Sequence, residues 1–252
     1  MAKPRVIASA SYKGGPGKSF LATTMAGLLQ EAGKRVLVVD LDGQCAQTQN
    51  LGVDVDPERT MEHWLDGMED PTQLVHPSST PRIGVIPAHP DIVNVQHNQE
   101  TYTQVKRLVA ALGSAWDYVV LDTAPASHPL AVSALLACDF YVMPLRPSVK
   151  EVVNSLLVFD RDVGQARTWN PAMVDLGIVV NQFDHQAPEQ VRIVNQLRKR
   201  CGDRVVAHPI GVSRDVVNAE KAGKPVTIHK PNSRLTRNVR KTFQPILARV
   251  TS

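Results

Sequence analysis

The segment SYKGGPGKSFL, residues Ser11–Leu21, places three glycines between an apolar run and a helical pattern. Its last part fits the phosphate-binding pattern G-x-x-x-x-G-K-[ST], but Tyr12 stands where that pattern has its first glycine. A second lysine, Lys13, instead precedes Gly14 and Gly15. A glycine-rich turn that joins a strand to a helix presents backbone N–H groups to phosphate oxygens. The segment therefore predicts a phosphate-binding loop that carries two lysines.

Roles within the loop follow from the same pattern. The backbone N–H groups of Gly14–Ser19 would surround the phosphates, helped by the positive N-terminus of the following helix. Lys18 would reach the terminal phosphates, and the hydroxyl of Ser19 would bind Mg²⁺. The alternative is a glycine turn that only joins a strand to a helix.

Short apolar runs alternate with helical patterns along the whole chain. The run RVLVVD has polar ends and an apolar middle, which is typical of a strand buried on both faces. The predicted strands are Arg5–Ala10, Arg35–Asp40, Ile83–Pro87, Tyr118–Asp122, Phe140–Pro144, Leu176–Asn181 and Arg204–His208. The predicted helices are Ser19–Ala32, Gln104–Leu112, Leu130–Ala137, Val149–Ala166, Glu189–Arg200 and Arg234–Val250. This alternation predicts an α/β fold with a mostly parallel central sheet and helices on both of its faces.

Length and composition predict one domain over residues 1–252. Hydrophobic residues make up 43% and charged residues 21% of the chain, enough to form a substantial core. The N-terminal residues do not resemble a signal peptide, and no apolar run reaches the length of a membrane span. The three cysteines are far apart, so we expect reduced thiols in a cytoplasmic protein.

Charge is unevenly distributed along the chain, although the net charge is only +4. From His185 to Ser252 there are fourteen Lys and Arg against four Asp and Glu, a local net charge of +10. The residues before His185 carry fourteen against twenty, a net charge of −6. A separation of this size favours a polyanionic partner for the last third of the chain.

The loop KGGPGKS resembles the deviant Walker A loop of the ParA/MinD family of dimeric ATPases. The resemblance implies a P-loop NTPase fold with ATP and Mg²⁺ as cofactors. In that family the earlier lysine, here Lys13, crosses the dimer interface to the nucleotide of the partner subunit. ATP would then be an assembly signal for a homodimer as well as a substrate, and Lys13 and Lys18 would act in catalysis. The implied nucleotide-binding residues are Lys13, Gly14, Gly15, Pro16, Gly17, Lys18, Ser19, Phe20 and Asn181.

Two acidic segments are similar to further motifs of the family. VVDLDGQCAQT resembles its D-x-D-x-Q motif, so Asp42 would orient the attacking water in catalysis and Asp40 would help to hold the Mg²⁺ shell. DYVVLDTAPA resembles the Walker B segment, in which Asp122 would contact Mg²⁺ through water. Open parallel sheets place their chemistry at the C-terminal ends of their strands. A solvated acidic turn and a carboxylate that caps the next segment are the alternatives.

Asn181 ends the run GIVVN, where the family's asparagine contacts the adenine edge. A side-chain amide both donates and accepts, which suits adenine, but an asparagine that caps a turn is an alternative. The segment Ser213–Val226 resembles the closing segment of the family, which ends in G-K-P-V. Three residues depart from the family pattern. Pro16 stiffens the loop, Phe20 replaces a frequent threonine, and Gly43 replaces a frequent proline, which is expected to loosen its segment.

The resemblance implies a slow ATPase whose partner stimulates hydrolysis. It would form an ATP-dependent dimer on nonspecific DNA, associate with the nucleoid, and segregate a plasmid or chromosome with a centromere-binding or cargo-adaptor protein. The excess of basic residues as a whole favours DNA, whose phosphates they would neutralise, although a solvated face is the better interpretation of any single one of them. The expected DNA contacts are Arg192, Arg198, Lys199, Arg200, Arg214, Lys221, Lys224, Arg237, Arg240 and Lys241. Their neighbours in the same basic clusters are Arg204, Lys230 and Arg234.

Two other positioning ATPases are alternatives. A ParA-like ATPase that positions a protein assembly would share all of these features. A MinD-like ATPase would bind a membrane through a basic amphipathic helix, for which Arg234–Val250 is the candidate. The apolar face of that segment consists of Leu235, Val239, Phe243 and Ile246. Because Pro245 interrupts the pattern, we expect a helix packed on the sheet and no stable membrane association.

Two enzymes with a similar loop are less compatible with the sequence. A reductase like the nitrogenase iron protein needs cysteines that hold a shared cluster, and Cys138 has no matching partner. A small-molecule ligase would not need Lys13.

Overall fold

A computed structural model describes residues 3–126 and 128–252, except for the side chains of residues 149–155. The strands are β1 (Arg5–Ser9), β2 (Val36–Leu41), β3 (His76–Pro77), β4 (Ile83–Ile86), β5 (Tyr118–Thr123), β6 (Phe140–Leu145) and β7 (Val174–Val180). They form one sheet in the order β3-β4-β2-β5-β1-β6-β7. Neighbouring strands are parallel except β3, which pairs antiparallel with β4. The prediction of a mostly parallel sheet is confirmed.

Helices cover both faces of this sheet, as the sequence predicts. The α-helices are α1 (Lys18–Glu31), α2 (Ala46–Asn50), α3 (Met61–Leu65), α4 (Gln99–Leu112), α5 (Pro129–Ala137), α6 (Val149–Trp169), α7 (Pro188–Cys201), α8 (Arg214–Lys221), α9 (Val226–His229) and α10 (Arg234–Thr251). Apolar residues of α3 to α7 pack on one face, and those of α1 and α8 to α10 pack on the other. Short 3-10 helices cover Pro71–Leu74, Pro90–Asn94 and Gly202–Arg204.

The two central strands β2 and β5 explain where the acidic residues lie. Every residue of both strands is buried, because helices cover both faces of the sheet. In the register of the two strands, Asp40 lies opposite Asp122. Two carboxylates that are far apart in sequence therefore meet at the carboxyl edge of the sheet, close to the end of β1.

The predicted strand Arg204–His208 is wrong. Only Val205 pairs with the sheet, in an isolated bridge to Ile178. Arg204 ends a 3-10 helix, and its side chain is held by ion pairs to two carboxylates at 2.6 and 2.8 Å. The N–H groups of Val206 and Ile210 donate to the carbonyl oxygens of Ile178 and Val180, so the segment lies beside β7 without forming a strand. Strand β7 is therefore the last strand of the sheet.

The last helix, α10, packs its apolar face into the core, as expected. The expected interruption at Pro245 is wrong, because the helix continues through that exposed proline to Thr251. The four apolar residues of the amphipathic pattern are all buried: Leu235, Val239, Phe243 and Ile246. This face is therefore part of the core and is not a surface for a membrane. No helix among the described residues is both long and apolar enough to span a bilayer.

Candidate nucleotide-binding site

The glycine-rich loop connects the end of β1 to the start of α1. Gly15 and Gly17 have φ angles of 88° and 101°, which residues with a side chain rarely adopt. A Cβ atom on Gly17 would also lie 2.1 Å from Nδ2 of Asn181. No described side chain caps the N-terminus of α1, so its first N–H groups are left for an anionic ligand such as a phosphate.

Two consecutive amide side chains after β7 hold the loop. Nδ2 of Asn181 donates to the backbone oxygen of Pro16 at 3.0 Å, and Nε2 of Gln182 donates to that of Gly15 at 3.3 Å. Asn181 is buried and lines the same cleft as the loop. Its contact with adenine stays a prediction, and the structure adds a contact that positions the loop. The sequence reasoning missed Gln182, for which no motif gives a signal.

The two lysines of the loop lie in different surroundings. Lys18 is buried, and its Nζ donates to the backbone oxygen of Lys13 at 3.3 Å. Burial lowers the pKa of Lys18, while the nearby Asp122 and Asp42 carboxylates oppose that shift. The Lys13 side chain is exposed, and its backbone oxygen also accepts from the Ser11 hydroxyl at 3.1 Å. The loop therefore anchors the backbone of Lys13 and leaves its ammonium group in solvent.

Two buried aspartates differ in how their oxygens are used. Both oxygens of Asp40 accept backbone N–H groups of its own segment, from Asp42 at 3.1 Å and from Gln47 at 3.0 Å. Burial, and then the charge of Asp122, raise the pKa of Asp40 well above its ordinary value. Oδ2 of Asp122 accepts from Nε2 of Gln47 at 2.9 Å. Burial raises the pKa of Asp122 to about 6, and the hydrogen bond from Gln47, the nearby Ser19 hydroxyl and the charge of Lys18 oppose this shift.

The oxygen atoms of Asp122 and Ser19 are suitable ligands for Mg²⁺. Oδ1 of Asp122 is buried and has no hydrogen-bond partner among the described residues, which is costly unless a ligand satisfies it. The Ser19 hydroxyl lies close enough to this carboxylate to lower its pKa. No three Asp, Glu, His or Cys side chains of the described residues converge on one point. One carboxylate and one hydroxyl suit Mg²⁺, which keeps several waters and shares the phosphates of a substrate.

A cleft of about 940 Å³ opens beside the loop, within the usual range for a small-molecule site. The residues expected to bind nucleotide that line it are Gly14, Gly15, Gly17, Lys18, Ser19, Phe20 and Asn181. Asp42 lines it as well, whereas Pro16 and Lys13 do not. Val216 and Glu220 on α8 also line the cleft, and no motif in the sequence singles them out.

Gly43 does not loosen the acidic segment as expected. A Cβ atom at this position would lie 2.5 Å from Cγ1 of Val93 and 3.1 Å from the backbone oxygen of Pro90. The glycine therefore lets the 3-10 helix Pro90–Asn94 pack directly on the residue after Asp42. The Asp42 segment is supported by this contact instead of being freed.

The predicted DNA contacts differ in how far their charge is already used. Arg198 and Arg237 donate to backbone oxygens, and Arg240 pairs with Glu31 at 3.2 Å. Seven others are exposed and form no ion pair with a described carboxylate: Arg192, Lys199, Arg200, Arg214, Lys221, Lys224 and Lys241.

Two other residues of the basic clusters already form ion pairs with carboxylates, so they are not candidates for DNA contacts. Arg204 is half-buried between Asp160 and Asp175, and Lys230 pairs with Asp215 at 2.7 Å.

The loop, the uncapped start of α1 and the strand-end carboxylates define a P-loop nucleoside triphosphatase fold of the deviant Walker A type. A sequence family described as an AAA domain matches residues 4–158, more than half of the chain. The chromosome-partitioning ATPase Soj of Thermus thermophilus is 34% identical over 251 residues, which cover 99% of this chain and 98% of Soj. The chain belongs to the family of ParA-type partition ATPases, as the loop motif predicted.

Two solved structures share the fold. McdA of Cyanothece, as a variant in complex with ATP, aligns with a TM-score of 0.83 at 22% identity, over 98% of this chain and 97% of McdA. Cobyrinic acid a,c-diamide synthase of Mycobacterium smegmatis, with a bound ATP analogue and magnesium, aligns with a TM-score of 0.73 at 24% identity, over 92% of this chain and 98% of the synthase. At these identities the likeness establishes the fold alone.

Proposed function

We propose that this chain is an ATP-hydrolysing partition protein that forms an ATP-dependent sandwich dimer on nonspecific DNA. It segregates a plasmid or chromosome with a centromere-binding partner. The observation that carries the proposal is Oδ1 of Asp122, which is buried and has no hydrogen-bond partner among the described residues. The same carboxylate interacts with the charge of Lys18, the first residue of α1. The similarity to Soj over nearly the whole of both chains supports the biological role.

ATP and Mg²⁺ are the proposed cofactors. Backbone N–H groups of the loop and the Lys18 ammonium would bind the phosphates, while Ser19 and Asp122 would hold the Mg²⁺ shell. Bound Mg²⁺ supplies positive charge against the terminal phosphates. Asp40 would fix the position of the Asp42 segment, and Asp42 would orient the attacking water. The ATP-analogue and magnesium complex of the related fold supports this choice of cofactors.

Fluorescent mant-ATP binding tests the cofactors directly. Wild-type protein is titrated with mant-ATP in Mg²⁺ and in EDTA, and phosphate release is followed in the same buffers. We expect tighter binding in Mg²⁺ and slow turnover, because the chain supplies no arginine to the phosphates within its own loop. Wild-type protein that binds no ATP in Mg²⁺ would contradict the proposal.

A second copy of this chain is proposed to face the cleft in the ATP state. Three exposed valines lie at the wall of the cleft: Val93, Val212 and Val217. Val212 is 74% exposed, and its burial by a second copy would be favourable. The exposed Lys13 ammonium is free to reach a phosphate that its own cleft does not hold.

The substitution Lys13→Ala separates ATP binding from dimer formation. The Lys13 side chain is exposed, and Lys18 bonds only its backbone oxygen, so we expect the monomer to bind mant-ATP within about threefold of wild type. We expect the ATP-dependent dimer to weaken by about 100-fold, because each dimer loses two charge-assisted contacts. Light scattering after gel filtration with ATP measures the dimer. An unchanged dimer would show that Lys13 does not cross the interface.

Nonspecific DNA is the proposed polyanion. Exposed cations that form no ion pair with a described residue lie on α7, α8 and α10, and a dimer would present two copies of each. A second cleft, of about 800 Å³, is lined by Arg234, Arg237 and Lys241 together with His185 and His208. Its wall includes Gly211–Ser213, three residues that also line the cleft beside the loop. The two clefts therefore share a segment.

The double substitution Lys199→Ala/Arg200→Ala tests the α7 surface. The logarithm of the DNA-binding constant falls as the logarithm of the salt concentration rises. Loss of two phosphate contacts should make this negative slope less steep by about 2, and by the same amount for unrelated DNA sequences. Fluorescence anisotropy with two labelled duplexes, in ATP and over a range of salt, measures the slope. The matched control is Lys106→Ala/Arg107→Ala, an exposed pair of the same residue types on α4. An equal loss in both variants would argue against a DNA surface on α7.

Cargo and location follow from these properties. A DNA-bound dimer would be associated with the nucleoid in the cytoplasm, and a centromere-binding or cargo-adaptor protein would stimulate hydrolysis. A fluorescent fusion that covers the nucleoid in wild type, and spreads evenly when Lys13 is replaced by Ala, would support the proposed location. An even distribution of the wild type would contradict it.

A further inference from the structure

Gln47 is a buried polar side chain at this site, and the family motifs assign it no role. It lies on α2, and its relative exposure is 0%. Its Nε2 donates to Oδ2 of Asp122 at 2.9 Å and to the backbone oxygen of Ser19 at 3.1 Å. Its Oε1 accepts from the Thr23 hydroxyl at 2.8 Å. One side chain therefore joins α2 to the end of β5 and to α1.

The partners of Gln47 determine the orientation of its amide. A carboxylate and a carbonyl oxygen face the amide nitrogen, and a hydroxyl donor faces the amide oxygen. A reversed amide would place its oxygen against two acceptors and leave them without a donor. Buried polar groups that lose their partners are costly, so these contacts hold both the amide and Asp122 in place.

The backbone of Gln47 extends the same network to the acidic segment. Its N–H donates to Oδ2 of Asp40 at 3.0 Å, and Oδ1 of Asp40 accepts from the N–H of Asp42 at 3.1 Å. Asp42 is thereby linked to Asp122 through Asp40 and Gln47. The segment of the carboxylate proposed to orient water is therefore connected, through Asp40 and Gln47, to the carboxylate proposed to hold Mg²⁺.

We propose that Gln47 is a positioning residue that holds Asp122 for Mg²⁺ and ties the Asp42 segment to the same site. The inference rests on the ATP and Mg²⁺ chemistry proposed above. Gln47 occupies Oδ2 of Asp122 and leaves Oδ1 as the oxygen available to the water shell of the ion. The Thr23 hydroxyl on α1 holds the amide oxygen of Gln47, and the amide nitrogen of Gln47 holds Asp122. Helix α1 therefore determines the position of Asp122 relative to Ser19, which lies on the same helix.

The substitution Gln47→Met keeps the length of the side chain and removes its hydrogen bonds. Outer partners of metal ligands typically change metal affinity by 10- to 100-fold. We therefore expect the Mg²⁺ concentration for half-maximal mant-ATP binding to rise at least about tenfold. Binding of mant-ATP in EDTA should stay within about twofold, because the loop contacts with phosphate are untouched. Gln165→Ala, at an exposed position on α6, is the control.

A second pair of substitutions leaves Gln47 and Asp122 in place. Thr23→Val removes the hydroxyl that anchors the amide oxygen, and we expect a shift in the same direction of about threefold. Thr23→Ser keeps the hydroxyl and should restore the Mg²⁺ dependence of the wild type. A residue that only fills space would lower the melting temperature in Gln47→Met and Thr23→Val without moving the Mg²⁺ dependence. That result would overturn the proposal.

The wild-type arm separates this inference from the proposed function. If wild type shows no Mg²⁺-dependent ATP binding, both fall together. If wild type shows it and Gln47→Met shows the same dependence, only the positioning role is overturned. If Gln47→Met does not fold, the Thr23 pair decides the question in the same assay.

Discussion

The substitution Lys18→Ala is expected to weaken ATP binding by about 100-fold or more. The ammonium group is buried at the start of α1, close to Asp122 and Asp42, and is proposed to bind the terminal phosphates. Loss of a charge-assisted hydrogen bond in a buried site costs about 1.5–3 kcal/mol, and the truncated side chain also leaves space beside the phosphates. Calorimetric titration with ATP and Mg²⁺ measures the effect.

The fold should survive this substitution. Among the described residues, the Lys18 ammonium makes one hydrogen bond, to a backbone oxygen, and the cost of burying its charge outweighs the attraction of Asp122 and Asp42. The melting temperature of nucleotide-free Lys18→Ala should therefore equal or exceed that of wild type. Lys106→Ala, at an exposed position of α4, serves as the control. ATP affinity near that of wild type in the Lys18 variant would mean that the phosphates lie elsewhere.

The substitution Asp42→Ala is expected to reduce ATP turnover by about 100- to 10,000-fold while ATP still binds. The carboxylate lines the cleft, and its Oδ1 accepts from the N–H of Gln44 at 3.1 Å. The bond from its own N–H to Asp40 involves the backbone and remains, so the segment should keep its place. Without hydrolysis the dimer should accumulate on DNA. Phosphate release and light scattering in ATP measure the two effects.

Asp42→Asn provides the stricter comparison. It keeps the shape of the side chain and an oxygen for the Gln44 N–H, but it lacks the charge proposed to orient water. We expect it to accumulate dimer as Asp42→Ala does. Turnover like that of wild type in either variant would remove Asp42 from its proposed role.

The loop and the two buried aspartates were predictable because each is encoded locally. A glycine-rich turn before a helix, and an aspartate that ends an all-apolar run, are visible within ten residues of sequence. The order of the strands is not local in this sense. Only the structure shows that β1 lies between β5 and β6, and that Asp40 stands opposite Asp122.

The features that were missed depend on contacts between distant segments. Gln47 lies within a segment that the sequence analysis quoted, but its importance comes from a bond to Asp122, 75 residues away. Helices α2, α3 and α9 have five residues or fewer, too short for a repeating apolar pattern. The run Arg204–His208 has the composition of a strand, but its first residue ends a 3-10 helix and the run forms only an isolated bridge to β7.

The amides of Asn181 and Gln182 have a consequence for how the molecule transmits a signal. They grip the carbonyl groups of Pro16 and Gly15, and the side chain of Asn181 fills the space that Gly17 leaves. A change in the shape of the loop must break these two hydrogen bonds or move the end of β7 together with the loop. Helix α7, which carries the exposed cations Arg192, Lys199 and Arg200, begins only a few residues later, at Pro188. The phosphate-binding loop and the basic helix α7 are thus connected through one short stretch of backbone.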